Sequence, residues 1–129
     1  MTLGEKQRLF VHLVGQLIIW AYENDYELSF GQTVRSKAEA NANVAAGIGI
    51  SNTLHSLYIK LAIDLNLFKD SSLEADEDIY QRDSEAYRPL GEKWKSLHPL
   101  CRWGGDFKDK NGNPKPDGNH FSLEHEGVK

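Results

Sequence analysis

With 129 residues, 40% of them hydrophobic and 26% charged, the chain has the make-up of one globular domain, large enough to bury roughly two thirds of its unfolded surface without disulfides or metal. Its 15 basic and 19 acidic residues leave a formal charge of −4 with no dense Lys/Arg run, which argues against a nucleic-acid partner. The longest apolar run, LIIWAY at 17–22, is too short to cross a bilayer, and the single cysteine, Cys101, excludes an internal disulfide and a cysteine-based zinc knuckle.

Leu9, Phe10, Leu13, Leu17, Trp20 and Ala21 recur at helical spacing and predict a long amphipathic helix from about residue 4 to 24. This opening lacks the order of a signal peptide, so the protein is expected to stay in the cytoplasm until something releases it. YELSF (26–30) predicts a short strand ending at Gly31, and SKAEANANVAA (36–46) a second helix closed by Gly47.

The clearest strand is KLAIDLNLF (60–68), with Leu61, Ile63, Leu65 and Leu67 on one face and Ala62, Asp64 and Asn66 on the other. The leucine face is expected to pack on helices and the Asp64 face to line a cleft. KDSSLEADED (69–78) reads as a solvated loop, lacking the ligand order and glycine of an EF-hand. RPLGEKWKSLHP (88–99) predicts a third helix, with Pro89 in its first turn and Pro99 past its end. WGGDF (103–107) predicts a turn, DKNGNPKPDGN (109–119) a polar loop and HFSLEH (120–125) a closing strand. No internal repeat or second domain is visible, so residues 1–129 are read as one unit.

Asp64 poses the chemical question, because an uncompensated charge within an apolar strand costs about 2–7 kcal/mol or more. An ion pair, a hydrogen-bond network or a metal must hold it. His120 forms Asp-x-x-His with Asp117 and, on a strand, shares a face with Ser122 and Glu124, opposite Phe121, Leu123 and His125. Only one of His120 and His125 can then line a cleft. His12 and His98 have ordinary helical surroundings and are set aside. A catalytic zinc takes three protein ligands and keeps a fourth position for water. His55, Asp64 and His120 supply such a set, leaving Asp117 or Glu124 for a general base. Residue types alone do not single this set out.

Arg35, TLH at 53–55, LAIDLNLF at 61–68, WGGDF at 103–107 and DGNHF at 117–121 span most of the chain. Together they resemble the phage and bacterial peptidoglycan peptidases of the D-alanyl-D-alanine carboxypeptidase and L-alanyl-D-glutamate endopeptidase group. That family carries Ser-x-His, then an Ala-x-Asp strand, then an acidic-x-x-His motif. The resemblance implies a small single α+β domain, an antiparallel sheet flanked by helices of the D-Ala-D-Ala carboxypeptidase/hedgehog type. It also implies a monomeric, zinc-dependent endolysin-like enzyme that hydrolyses an amide bond in the peptidoglycan stem peptide after release to the wall, with no membrane insertion.

Carried onto this sequence, the resemblance implies that His55, Asp64 and His120 bind zinc and that Asp117 is the base. Arg35 would grip a substrate carboxylate through its planar guanidinium fork. Thr53 would stand at the substrate in place of the usual serine, and Trp103 or Tyr58 would form an apolar wall. Two further departures are visible: Asp64 follows His55 by nine positions where the family interval is seven, and Lys60 occupies a place where glycine is common. Two ligands of one zinc lie only about 3–4 Å apart, so the chain must turn between His55 and Asp64 at either spacing. Two extra residues keep strand parity.

Two other classes stay open. One is a muramidase-like lysin pairing Glu23 or Glu39 with an aspartate; the other is a metal-free phage structural or binding protein in which Asp64 and His120 form a buried ion pair.

Overall fold

A computed structural model describes residues 1–31, 59–69 and 79–129. The predicted helix at 36–46, nearly all of the acidic loop at 69–78, and Arg35, Thr53, His55 and Tyr58 lie outside the described residues.

The first element, α1 (Leu3–Glu23), starts at a capping box: Thr2 accepts from the Glu5 N–H, and the Glu5 carboxylate accepts from the Thr2 N–H. Its buried stripe is Phe10, Leu13, Val14, Leu17 and Ala21, the recurrence that lets one helical face cover a sheet. Strand β1 (Glu27–Phe30) follows at once, then β2 (Ala62–Phe68). A 3₁₀ turn at Ser84–Tyr87 runs into α2 (Arg88–Leu97), with Pro89 in the first turn, where its missing N–H costs nothing. Strand β3 (Cys101–Trp103), a second 3₁₀ turn at Gly104–Asp106 and β4 (His120–Leu123) complete the described elements.

All neighbours in the four-stranded sheet are antiparallel, in the order β1-β2-β4-β3. With its two described helices the chain is a small α+β domain. The helices meet at Trp94 of α2, which is fully buried and makes edge-on contacts with Phe10 of α1 and Phe121 of β4, with centroids 5.8 and 6.2 Å apart. The Trp94 indole N–H donates to the carbonyls of Arg102 and Ser122, so its one polar atom is satisfied.

Leu61, Ile63, Leu65 and Leu67 are buried in the core, as their alternation requires, while Asp64 and Asn66 are only half-buried. Three differences from the sequence expectations bear on the site. WGGDF begins as strand rather than turn, since Trp103 ends β3 and pairs with Phe121. The third predicted helix stops at Leu97, and His98 then folds back so that its Nδ1 accepts from the Leu100 N–H. The closing strand stops at Leu123, and the chain then turns at 125–128.

Candidate metal centre

The sheet register puts Asp64 of β2 directly opposite His120 of β4. The Leu65 N–H donates to the Asn119 carbonyl and the Leu123 N–H to that of Leu61. Asp64 and His120 are therefore a non-hydrogen-bonded pair, the kind whose side chains come closest on an antiparallel ladder. Their His120 Nδ1 and Asp64 Oδ1 atoms are 3.7 Å apart.

Asp117 joins them from the loop. One ligating atom each of Asp64, Asp117 and His120 lies within 4.8 Å of the others, so the three are close enough to hold a metal ion. Their exposure is graded: His120 is buried, Asp64 half-buried and Asp117 exposed. The cluster therefore reaches solvent on the Asp117 side.

The turn carrying Asp117 is built from close backbone approaches. Asp117 N–H donates to the Gly104 carbonyl, and His120 N–H to the Asp117 carbonyl. A Cβ on Gly104 would fall 2.0 Å from the Asp117 oxygen and 2.8 Å from the His120 Cβ, so only glycine admits this contact. The Gly118 N–H donates to Ser84 Oγ, and the Gly118 carbonyl accepts from the Trp103 indole. On the other side, the Gly31 N–H donates to the Asp64 carbonyl at 2.7 Å, closing the end of β1 against β2.

Trp103 does not form the expected cleft wall. It is 1% exposed, with Gly91 and Gly105 so near its ring that no side chain would fit, and the Arg88 and Lys95 cations stand over it. Its task is to fix the Asp117–His120 turn from beneath. Glu124, the other candidate base, is not in the cluster. It accepts from Arg102 Nη2 at 2.6 Å. His125 is turned to Lys6 Nζ at 3.2 Å. Glu23 sits exposed at the end of α1.

Beside the cluster the Phe107 ring lies 5.2 Å from that of His120, and Asn119 donates to the Asn66 side chain. Tyr87 accepts from the Leu67 N–H and donates to the Gln81 carbonyl. Burial pushes its phenol above the ordinary value, with the Asp117 charge a smaller push in the same direction.

The donor set fits a zinc ion. Zinc accepts imidazole nitrogen and carboxylate oxygen at about 2.0–2.2 Å, which sets two ligand atoms roughly 3–4 Å apart on a tetrahedron. The 3.7 Å between His120 and Asp64 falls in that interval. Oxygen and imidazole ligands serve several divalent metals, so the donors alone do not name the ion.

Comparison of the chain with protein-family models and with curated protein sequences gives no match.

Proposed function

We propose that the protein is a zinc-dependent peptidase acting on the stem peptide of peptidoglycan, of the D-alanyl-D-alanine carboxypeptidase and L-alanyl-D-glutamate endopeptidase type. The observation that carries it is the meeting of Asp64, Asp117 and His120 in one solvent-reaching cluster. These are the carboxylate of the Ala-x-Asp strand and both members of the acidic-x-x-His pair, brought together from segments more than fifty residues apart in the sequence. Lys60 adds support: its φ of 53° lies in the left-handed region that favours glycine, the residue common at that place in the family.

Asp64 and His120 would hold the ion, with His55 as the third ligand that the resemblance implies. A bound zinc would supply Lewis acidity toward the scissile carbonyl and make its water acidic near neutral pH. Asp117 would be the base, supported by its being the exposed member of the cluster with its backbone locked by Gly104; its carboxylate would take a proton from water and pass it to the leaving amine. Arg35 would hold a substrate carboxylate and Thr53 would line the same subsite. A phage or prophage lysin stored in the cytoplasm and released to the wall suits this chemistry.

The 3.7 Å approach of His120 to Asp64 also favours a second reading, an ion pair in a metal-free binding protein. Defined muropeptides incubated with the protein, followed by mass analysis of the products, separate the two. The peptidase yields stem-peptide fragments that vanish on chelation and return with zinc. Replacing Asp117 by Asn is expected to lower turnover about 10²–10⁴-fold while leaving bound zinc in place. Unchanged muropeptides in the presence of zinc would refute the proposal.

A further inference from the structure

Next to the cluster, the same face of β2 carries a pair of side-chain amides. Asn66 lies two positions past Asp64 on one strand, so both side chains leave the sheet on the same side, about 6.6–6.8 Å apart. Asn119 reaches Asn66 from the residue before His120, its backbone carbonyl accepting from the Leu65 N–H. The Asn119 side-chain amino group donates to the Asn66 side-chain carbonyl at 3.3 Å. Among the described residues this is the one side-chain hydrogen bond that either asparagine makes.

An amide side chain has two N–H donors and a carbonyl that can accept twice. The mutual bond therefore leaves the pair one carbonyl and one amino group for another partner, whichever asparagine donates. Both residues are half-buried, and neither has a polar atom that is buried and unpaired, so these groups meet solvent. Ser29 of β1, exposed, stands opposite Asn66 in the register and shares its side of the sheet. Further along this face the Phe68 ring packs on Tyr80, with centroids 5.3 Å apart. A few directed polar groups beside apolar rings are what a small ligand site requires.

The chemistry of the pair names its ligand. An extended peptide turns the N–H and C=O of one residue to the same side, as paired strands do in an antiparallel ladder. A carbonyl and an amino group held side by side are the complement of that residue. An extended chain advances about 3.3–3.6 Å per residue, so the distance from Asp64 to Asn66 corresponds to about two residues. We propose that Asn66 and Asn119 form a substrate subsite that binds the backbone N–H and C=O of one residue of an extended peptide, about two positions from the bond cleaved at the cluster. The proposal rests on the peptidase reading above and adds a length requirement: peptides that reach past the two residues flanking the cleaved bond are preferred. The pair binds substrate and takes no part in the bond-breaking.

The test sets a stem pentapeptide beside the dipeptide D-alanyl-D-alanine. In ¹⁵N-labelled Asp117→Asn protein supplied with zinc, whose slow turnover leaves the peptide whole, the side-chain NH₂ signals of Asn66 and Asn119 are followed by NMR. The pentapeptide is expected to shift both signals and the dipeptide to leave them in place. In the otherwise wild-type protein, Asn66→Ala and Asn119→Ala are each expected to raise KM for the pentapeptide about 3–10-fold with kcat unchanged, as for a hydrogen bond made equally in the ground and transition states. Should either variant fail to fold by circular dichroism, the NH₂ signals decide. Signals that stay fixed with the pentapeptide, signals that the dipeptide shifts as far, or folded variants that keep the wild-type KM would overturn the proposal. The two levels separate: a pentapeptide that shifts both signals while the wild-type protein cleaves nothing upholds the subsite and defeats the peptidase reading, whereas cleavage with fixed signals does the reverse.

Discussion

Single atoms decide whether the cluster exists. Gly104 is the sharpest case, because its absent Cβ leaves room for the Asp117 carbonyl and the His120 side chain at once. Gly104→Ala should therefore push the Asp117–His120 turn away from β3 and cost about 1–3 kcal/mol, the usual price of overpacking. Urea unfolding measures the loss, and zinc affinity should fall with it. A Gly104→Ala protein of unchanged midpoint would mean that the turn has slack elsewhere. Cys101 shows the opposite situation, a side chain with no part in the site. Burial pushes its thiol up to about 12 from the ordinary 9.0. Above about pH 9 the unfolded chain sheds this proton while the folded chain keeps it, so stability is full below that pH and falls as pH rises toward about 12. The raised Tyr87 phenol acts in the same sense. Urea midpoints should drop steadily through this alkaline window, and Cys101→Ala should flatten part of the slope whatever it does to the midpoint at neutral pH.

At the scale of elements, the two strands that carry Asp64 and His120 were largely legible. The apolar alternation of Leu61, Ile63, Leu65 and Leu67 announces β2, and the same parity leaves Asp64 off the core. His120 was visible through its spacing from Asp117. The register that sets Asp64 opposite His120 was not, because pairing between segments so far apart depends on turns and packing rather than on local pattern. Strand β3 escaped for a simpler reason: three residues show no period, and the glycines after Trp103 pointed to a turn. Strand parity also does not reveal that β4 ends at Leu123, nor that Arg102 takes the Glu124 carboxylate outside the cluster. Lys60, at the entry to β2, offers a test at this scale. It is exposed with φ of 53°, a conformation costing a non-glycine residue about 1–2 kcal/mol. Part of that is offset by glycine's freer unfolded state, about 0.4–1 kcal/mol. Lys60→Gly should leave stability equal or up to about 1.5 kcal/mol higher by urea unfolding; a clear loss would show that the lysine makes a contact worth more than its strain.

Across the whole molecule, α1 and α2 share the core centred on Trp94, and the sheet they cover carries the cluster at its β2–β4 seam. Polar side chains in such a place are sustained by what they hold together. For Asp64, the question raised by a carboxylate in an apolar strand, the neighbours are an imidazole and a second carboxylate, the combination a divalent metal accepts. Asp64 and His120 are delivered by paired strands, so on the proposed reading the site should stay shaped without the ion, and its loading should follow the two side chains rather than the fold. The most direct measurement is the metal content of the protein after reconstitution with zinc and removal of excess, read by native mass spectrometry beside Asp64→Ala and His120→Ala. The wild-type chain should retain about one zinc ion, and both variants, still folded by circular dichroism, should retain none. A wild-type protein that emerges without zinc, or variants that keep it, would contradict the account.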